Sequence, residues 1–252
     1  MIKHMVIPDV QIRDGDDTKF LTRIGQYIVD KKPDVVIQIG DFADMPSLSS
    51  YDVGKKSFEG RRYIKDIDAA AKAMEALLGP IKEYNIKAKK NKEKLYKPRL
   101  VLTLGNHEQR IIRAVENDPK LEGLISVNDL PYDEWEVVPF LKPIEIDGVF
   151  YSHYFPTGIL GKPPTTASAM LSKTHCSCIA GHQQGKQISY SVRPDGTPII
   201  CIIAGSCYEH DETYLNHQTN KHWRGIIMLH EVYKGSFDEM FVSLNYLKTK
   251  YA

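Results

Sequence analysis

Five short polar blocks in this 252-residue chain each follow directly on an apolar run. They are Asp9-Val10-Gln11, Gly40-Asp41-Phe42-Ala43-Asp44, Gly105-Asn106-His107-Glu108, Ser152-His153 and Gly181-His182-Gln183-Gln184. Carboxylates, side-chain amides and imidazoles are the groups that hold divalent cations and move protons. Taken singly, each block also has a plainer reading. Asp9 and Asp41 suit helix caps or turns, His153 a hydrogen-bonded core histidine, and Gly105-Asn106 an ordinary turn pair. Capping explains their joint occurrence poorly. Ligands of open α/β folds bind beyond the carboxyl ends of strands, so five such ends would set many ligating groups around one crevice. The glycines let the backbone turn sharply and bring the next side chain over the strand end.

The elements that must position these blocks follow from periodicity. Met5–Ile7, Val35–Ile39 and Leu100–Leu104 read as buried strands, each stopped by a turn residue. Residues 17–30 place Phe20, Leu21, Ile24, Tyr27 and Ile28 at helical spacing, with Asp17 as N-cap. Residues 62–78 put Ile64, Ile67, Ala71, Met74 and Leu77 on one helical face. Strand and helix alternating in this way predict a parallel sheet covered by helices. Beyond residue 140 the chain turns β-rich: a hairpin alternation at 144–151 around Asp147-Gly148, then short strands at 178–180, 187–192, 198–204, 225–232 and 237–244. The expected fold is α/β, two packed sheets flanked by helices, in a single domain over residues 1–252. A helical, Lys-rich segment at about 45–99 separates the second and third blocks.

Composition narrows the class further. Hydrophobic residues make up 42% of the chain, enough for a sizeable core, and 33 Lys and Arg against 32 Asp and Glu leave a formal charge of +1. Global charge thus names no partner, and nucleic-acid binding would need a local patch. Lys82–Arg99 is one candidate. It holds eight Lys or Arg and two Glu, and reads either as a solvated helix end and loop or as a basic lip beside the site that meets a phosphate backbone. The N-terminal apolar stretch is too short for a signal peptide and no run approaches a membrane span, so a soluble, cytoplasmic protein is expected. Cys176, Cys178, Cys201 and Cys207 are too few for a disulfide framework. His175-Cys176-Ser177-Cys178 lacks the paired spacing of structural zinc, so reduced core thiols are the expectation.

The order of the five blocks resembles that of the calcineurin-like metallophosphoesterases, over residues 9–184. Gly-Asp-x-x-Asp and Gly-Asn-His-Glu carry most of the likeness, and Ile-Pro-Asp-Val-Gln with Gly-Asp-Phe-Ala-Asp-Met-Pro-Ser-Leu-Ser is most similar to phage- and prophage-encoded members. The resemblance implies a four-layer αββα sandwich and, for a phage-encoded chain, the host cytoplasm. It implies two divalent ions bridged by Asp41, with Asn106, His153 and His182 completing one site and Asp9, Gln11 and Gln184 the other. The family places His where this chain has Gln11 and Gln184. That departure makes the first site oxygen-dominated, suiting Mn²⁺ ahead of Mg²⁺, Ni²⁺, Zn²⁺ or Fe. His107 is implied as the acid at the leaving oxygen with Asp44 holding its ring, and Arg13 and Arg110 are candidate phosphate contacts. The implied reaction is hydrolysis of a phosphate ester, a phosphodiester such as a nucleic acid or nucleotide being favoured over a monoester or phosphoprotein. The competing reading is a metal-binding interaction module that has lost turnover through Gln11 and Gln184. Specificity would lie in loops 45–61, 154–174 and 206–222.

Overall fold

The alternation of apolar strands and amphipathic helices builds two sheets that share one core in the computed structural model, which describes residues 1–210 and 222–252. The first sheet takes β1 (His4–Ile7), β2 (Val35–Gln38), β3 (Arg99–Thr103), β4 (Glu136–Val138), β10 (Gly225–Tyr233) and β11 (Ser236–Ser243), in the order β11-β10-β1-β2-β3-β4. Its β1 to β4 portion is parallel, and β10 and β11 join antiparallel. The second sheet takes β5 (Ile144–Ile146), β6 (Val149–Ser152), β7 (Cys178–Ala180), β8 (Lys186–Val192) and β9 (Pro198–Ala204), in the order β5-β6-β7-β9-β8. Val6, Ile37 and Val101 of the first sheet pack on Tyr151, Ile179 and Ile202 of the second. The outer faces are covered by α1 (Lys19–Lys31), α2 (Tyr63–Lys90), α3 (Gln109–Asn117) and α5 (Leu244–Lys250) on one side and α4 (Ala167–Thr174) on the other. The four-layer expectation stands.

Several local expectations need correction. The first helix starts at Lys19 with Thr18, not Asp17, at the cap position, and the Asp17 carboxylate only accepts from the Lys19 N–H at 2.9 Å. The second helix does not stop at 78. It runs 28 residues to Lys90 straight through Gly79-Pro80, because Gly25 of α1 lets the two helices close tightly: a Cβ there would lie 2.3 Å from the Leu77 carbonyl and 2.9 Å from the Pro80 ring. Packing also rotates its buried face to Ala70, Ala73, Met74, Leu77 and Leu78, leaving Ile64 63% exposed. Strand β4, too short for a periodic signal, and α4, inside the presumed loop 154–174, were not expected. No helix among the described residues is long and apolar enough to cross a membrane.

Register fixes which ends face which way. Parallel β1, β2 and β3 all point their carboxyl ends to one edge of the first sheet, and parallel β6 and β7 do the same in the second. Arg99 begins β3 whereas Asn106 follows its end. The segment before Arg99 is pinned to the start of β2, with the Tyr96 hydroxyl donating to the Pro33 carbonyl and the Arg99 N–H to the Asp34 carbonyl. Lys82–Arg99 therefore lies at the opposite edge from the polar blocks, where a solvated helix end and loop fits and a lip beside the site does not.

Candidate metal centre

Three strand ends, those of β1, β2 and β7, deliver their polar blocks through backbone that the strand itself could not adopt. Gln11, Asp41, His182 and Gln184 all have positive φ (45°, 52°, 67° and 58°), so the chain turns left-handed as it leaves the sheet. The crossing is tight. A Cβ on Gly105 would lie 2.1 Å from Asp41 Oδ1, and one on Gly181 would lie 2.4 Å from Asp9 Oδ1. These glycines are needed for close approach of the β1, β2, β3 and β7 ends.

Asp41, Asn106, His153 and His182 converge. Ligating atoms of Asp41, His153 and His182 all lie within 4.8 Å of one another. Asn106 Oδ1 sits 2.9 Å from His153 Nε2 and 2.8 Å from His182 Nδ1. His153 Nδ1 donates to the Ile39 carbonyl at 3.0 Å, which fixes the tautomer and aims Nε2 at Asp41, 3.4 Å away. That is the arrangement a metal-binding histidine needs.

Electrostatics point the same way. Burial alone would push the Asp41 carboxyl up, but His107 and His153 beside it hold it well below the usual range. His153, which burial would lower, is instead raised to about 9 by Asp41. His182 is lowered to about 4 by burial and by His153. Asp9, fully buried and with Asp41 nearby, is raised by desolvation. Two buried carboxylates, Asp9 and Asp41, thus face the imidazoles of His153 and His182 at one site. A divalent cation fits that set of oxygen and imidazole donors.

The other expected ligands are less fully gathered. The Asp9 carboxylate faces the same edge but accepts from the His182 N–H at 3.0 and 3.1 Å. Gln11 and Gln184 are buried, at 3% and 8% exposure, and line the cavity beside His107. Gln184 Oε1 already accepts from the Tyr208 hydroxyl at 2.8 Å, and that hydroxyl also lies 3.0 Å from His222 Nδ1. Tyr208 was not foreseen, because it lies in the 206–222 stretch where no periodicity marks it. Of that stretch, 211–221 falls outside the described residues.

His107 is held by its neighbours. Its Nδ1 lies 2.5 Å from Asp44 Oδ1, leaving Nε2 toward the cavity. Burial lowers His107, but Asp41 and Asp44 more than reverse this. Asp44, which burial would raise, is held down to about 2 by His107, Arg13 and Arg110. The two arginines, candidate phosphate contacts, brace this pair. Arg13 Nε bonds Asp44 Oδ2, and Arg110 donates to the Asp44 carbonyl at 2.7 Å while its Nη2 lies 3.2 Å from His107 Nε2. Both also line the adjoining cavity of about 910 Å³, which extends past His107 to Tyr51, Arg61 and Lys65.

Glu108, the last residue of the Gly105-Asn106-His107-Glu108 block, is the hub of the loops. Its fully buried carboxylate accepts from the N–H groups of Asp41, Phe42, Ala43 and Gly105 at 2.7–3.0 Å and from the Tyr132 hydroxyl at 3.1 Å. It thus ties the β2 and β3 ends together and orients Asp41. Burial, then Asp41, raise its pKa against the pull of those N–H donors.

No protein-family model and no curated protein matches the chain. Among solved structures it is similar to Yfce, a phosphoesterase from E. coli, at 12% identity and a TM-score of 0.39, over 97% of this chain and all of that one. A Streptococcus pneumoniae protein described as a predicted phosphoesterase gives 13% and 0.35, over 96% and 99%. A dimetal phosphatase from Danio rerio gives 10% and 0.38, over 96% and 99%. Likeness at this level carries no weight for the reaction, and the site stands on its own distances.

Proposed function

We propose that this chain is a dinuclear metal-dependent phosphoesterase. The convergence of Asp41, Asn106, His153 and His182, with the His107–Asp44 pair beside it, carries the reading. Asn106, His153, His182 and Asp41 would hold one divalent ion, and Asp9, Asp41, Gln11 and Gln184 the other, Mn²⁺ being favoured by the oxygen-rich second set. Bound there, the cations would supply charge neutralisation for the phosphate and lower the pKa of the attacking water.

The chain's own groups do the rest. His107 Nδ1 faces Asp44, and Nε2, which accepts from Arg110 in the structure, would present a proton to the leaving oxygen once Arg110 turns to the phosphate. Asp44 keeps the ring aligned and favours its charged form. Arg13 and Arg110 hold Asp44 and His107 in place and reach the phosphate from the cavity wall. A phosphodiester is the favoured substrate, since Tyr51, Arg61 and Lys65 extend the cavity beyond the room one phosphoryl group fills.

A second reading is a metal-binding module with weak turnover. It is favoured by the prior engagement of Gln184 with Tyr208 and of Asp9 with the His182 N–H. Hydrolysis of bis-p-nitrophenyl phosphate and of p-nitrophenyl phosphate under Mn²⁺, Mg²⁺, Ni²⁺ and Zn²⁺ separates the two readings. Metal-dependent turnover that falls ~10²–10⁴-fold in His107→Ala, with metal content unchanged, is the expected result. No turnover in any metal rejects the enzyme.

A further inference from the structure

On the outer face of the second sheet, away from the metal centre, three of the chain's four cysteines gather beneath α4. Cys178 of β7 and Cys201 of β9 are directly paired in the parallel register, and both are fully buried. Their sulfurs stand 3.0 Å apart and are not bonded. Thr174, at the end of α4, donates its hydroxyl proton to the Met170 carbonyl at 2.9 Å and so accepts from the thiols, 3.4 Å from Cys178 Sγ and 3.9 Å from Cys201 Sγ. The Cys201 thiol lies 3.3 Å from the Cys176 carbonyl. Cys176, two residues before Cys178, is itself only partly buried.

Residues paired across neighbouring strands sit ~4.8 Å apart with side chains on one face, a Cα separation that a disulfide accepts. Closing the bond would draw the sulfurs together by about 1 Å. A thiolate metal site fits less well. Among the described residues, Asp41, His153 and His182 form the one group of three ligating atoms close enough to share an ion.

We propose that Cys178 and Cys201 form a dithiol that hydrogen peroxide closes into a disulfide, with Cys176 as the entry thiol. The Cys176 thiolate attacks the peroxide O–O bond, giving a sulfenic acid and hydroxide. The Cys178 thiol displaces the sulfenic hydroxyl, forming a Cys176–Cys178 bond and water. Cys201 then attacks the Cys178 sulfur, releasing Cys176 as its thiolate and leaving Cys178–Cys201, while the Cys201 proton neutralises the hydroxide. Two thiols and one peroxide give one disulfide and two waters, and two electrons pass from sulfur to oxygen. The order follows from access: Cys176 is only partly buried, whereas Cys178 and Cys201 are shut from solvent, and in the same direction the Cys176 thiol is lowered to about 6 while that of Cys178 is raised. The closed bond would encircle residues 178–201, a segment containing His182 and Gln184 of the metal centre.

The proposal is independent of the hydrolytic reading. It is tested by treating the full chain with hydrogen peroxide, alkylating under denaturing conditions, and mapping peptides by mass. The expected result is loss of two alkylatable thiols, a Cys178–Cys201 cross-linked peptide two hydrogens lighter, and full recovery with dithiothreitol. Cys176→Ser should give the same cross-link at least ~10-fold more slowly. Four alkylatable thiols after treatment, or Cys176 driven to sulfinic acid with Cys178 and Cys201 still free, overturns the proposal. A Cys176→Ser chain that cross-links at the unmodified rate removes the entry thiol. The wild-type map alone decides the dithiol, so a variant that folds poorly does not rescue it.

Discussion

A buried carboxylate that accepts from four backbone N–H groups and a tyrosine hydroxyl leaves no room for a donor in its place. Glu108→Gln would keep one acceptor oxygen but turn an amide N–H₂ toward N–H groups of the β2 and β3 loops. The expected cost is more than about 2 kcal/mol in chemical denaturation, with metal affinity falling alongside because Asp41 loses its support. Unchanged stability would show that the loops hold without the hub. The residues that converge at the strand ends were readable from sequence through their joint occurrence, since each alone has a plainer use as a cap, a turn or a core histidine. Glu108 was not assigned a role, because a glutamate one residue past a histidine looks like any helix-start acid until its acceptors are placed. Arg13 and Arg110 were readable as charges near a phosphate. Their grip on Asp44 needed coordinates.

At the scale of elements, β1 and the β5–β6 hairpin are joined by a buried polar contact between the sheets. His4 is fully buried, with Nε2 3.0 Å from Asp147 Oδ2 at the hairpin turn and Nδ1 2.7 Å from the Tyr151 hydroxyl. The neutral ring donates to Asp147 and accepts from Tyr151, whereas a protonated ring would confront the hydroxyl proton. Burial lowers the His4 pKa below 6.5, outweighing the opposite pull of Asp147 and Asp34, while Arg99 adds to the lowering. The unfolded chain therefore binds the proton more readily. The stability from keeping His4 neutral is present above pH ~6.5 and is lost as pH falls toward the folded value. Melting temperature should drop between about pH 7 and pH 5, and less steeply in His4→Gln. His182, lowered in the same direction, contributes equally to both chains, so the difference reports His4. Equal slopes would contradict the assignment. Strand positions other than β4 were legible from apolar runs and turn residues. The extent of α2 was not, because Gly79-Pro80 normally stops a helix and only the packing against Gly25 carries it on.

For the whole molecule, parallel pairing gathers chemistry at one edge and leaves the other edge free of it. At roughly 1.5 Å per residue, the 28-residue α2 spans about 40 Å, with Tyr63 and Asp66 near the cavity and Lys87, Lys89 and Lys90 in its last turn. Replacing those three lysines by glutamine should change kcat/KM for a small phosphate ester by less than about 2-fold. If they meet nucleic acid, the salt slope of binding should flatten by up to ~3. A large loss on the small ester would place the basic strip at the active centre after all. Sequence gave the strip's charge but not its side of the sheet, which follows from register.

The metal centre itself is tested most directly by titrating metal-free protein with Mn²⁺ and following bound metal rather than turnover. The chain should bind Mn²⁺ stoichiometrically, and Asp41→Ala and His153→Ala should each weaken binding by at least ~10-fold while keeping the fold by circular dichroism. Failure of the folded wild-type chain to bind any divalent ion, or affinity untouched by both substitutions, would contradict the account.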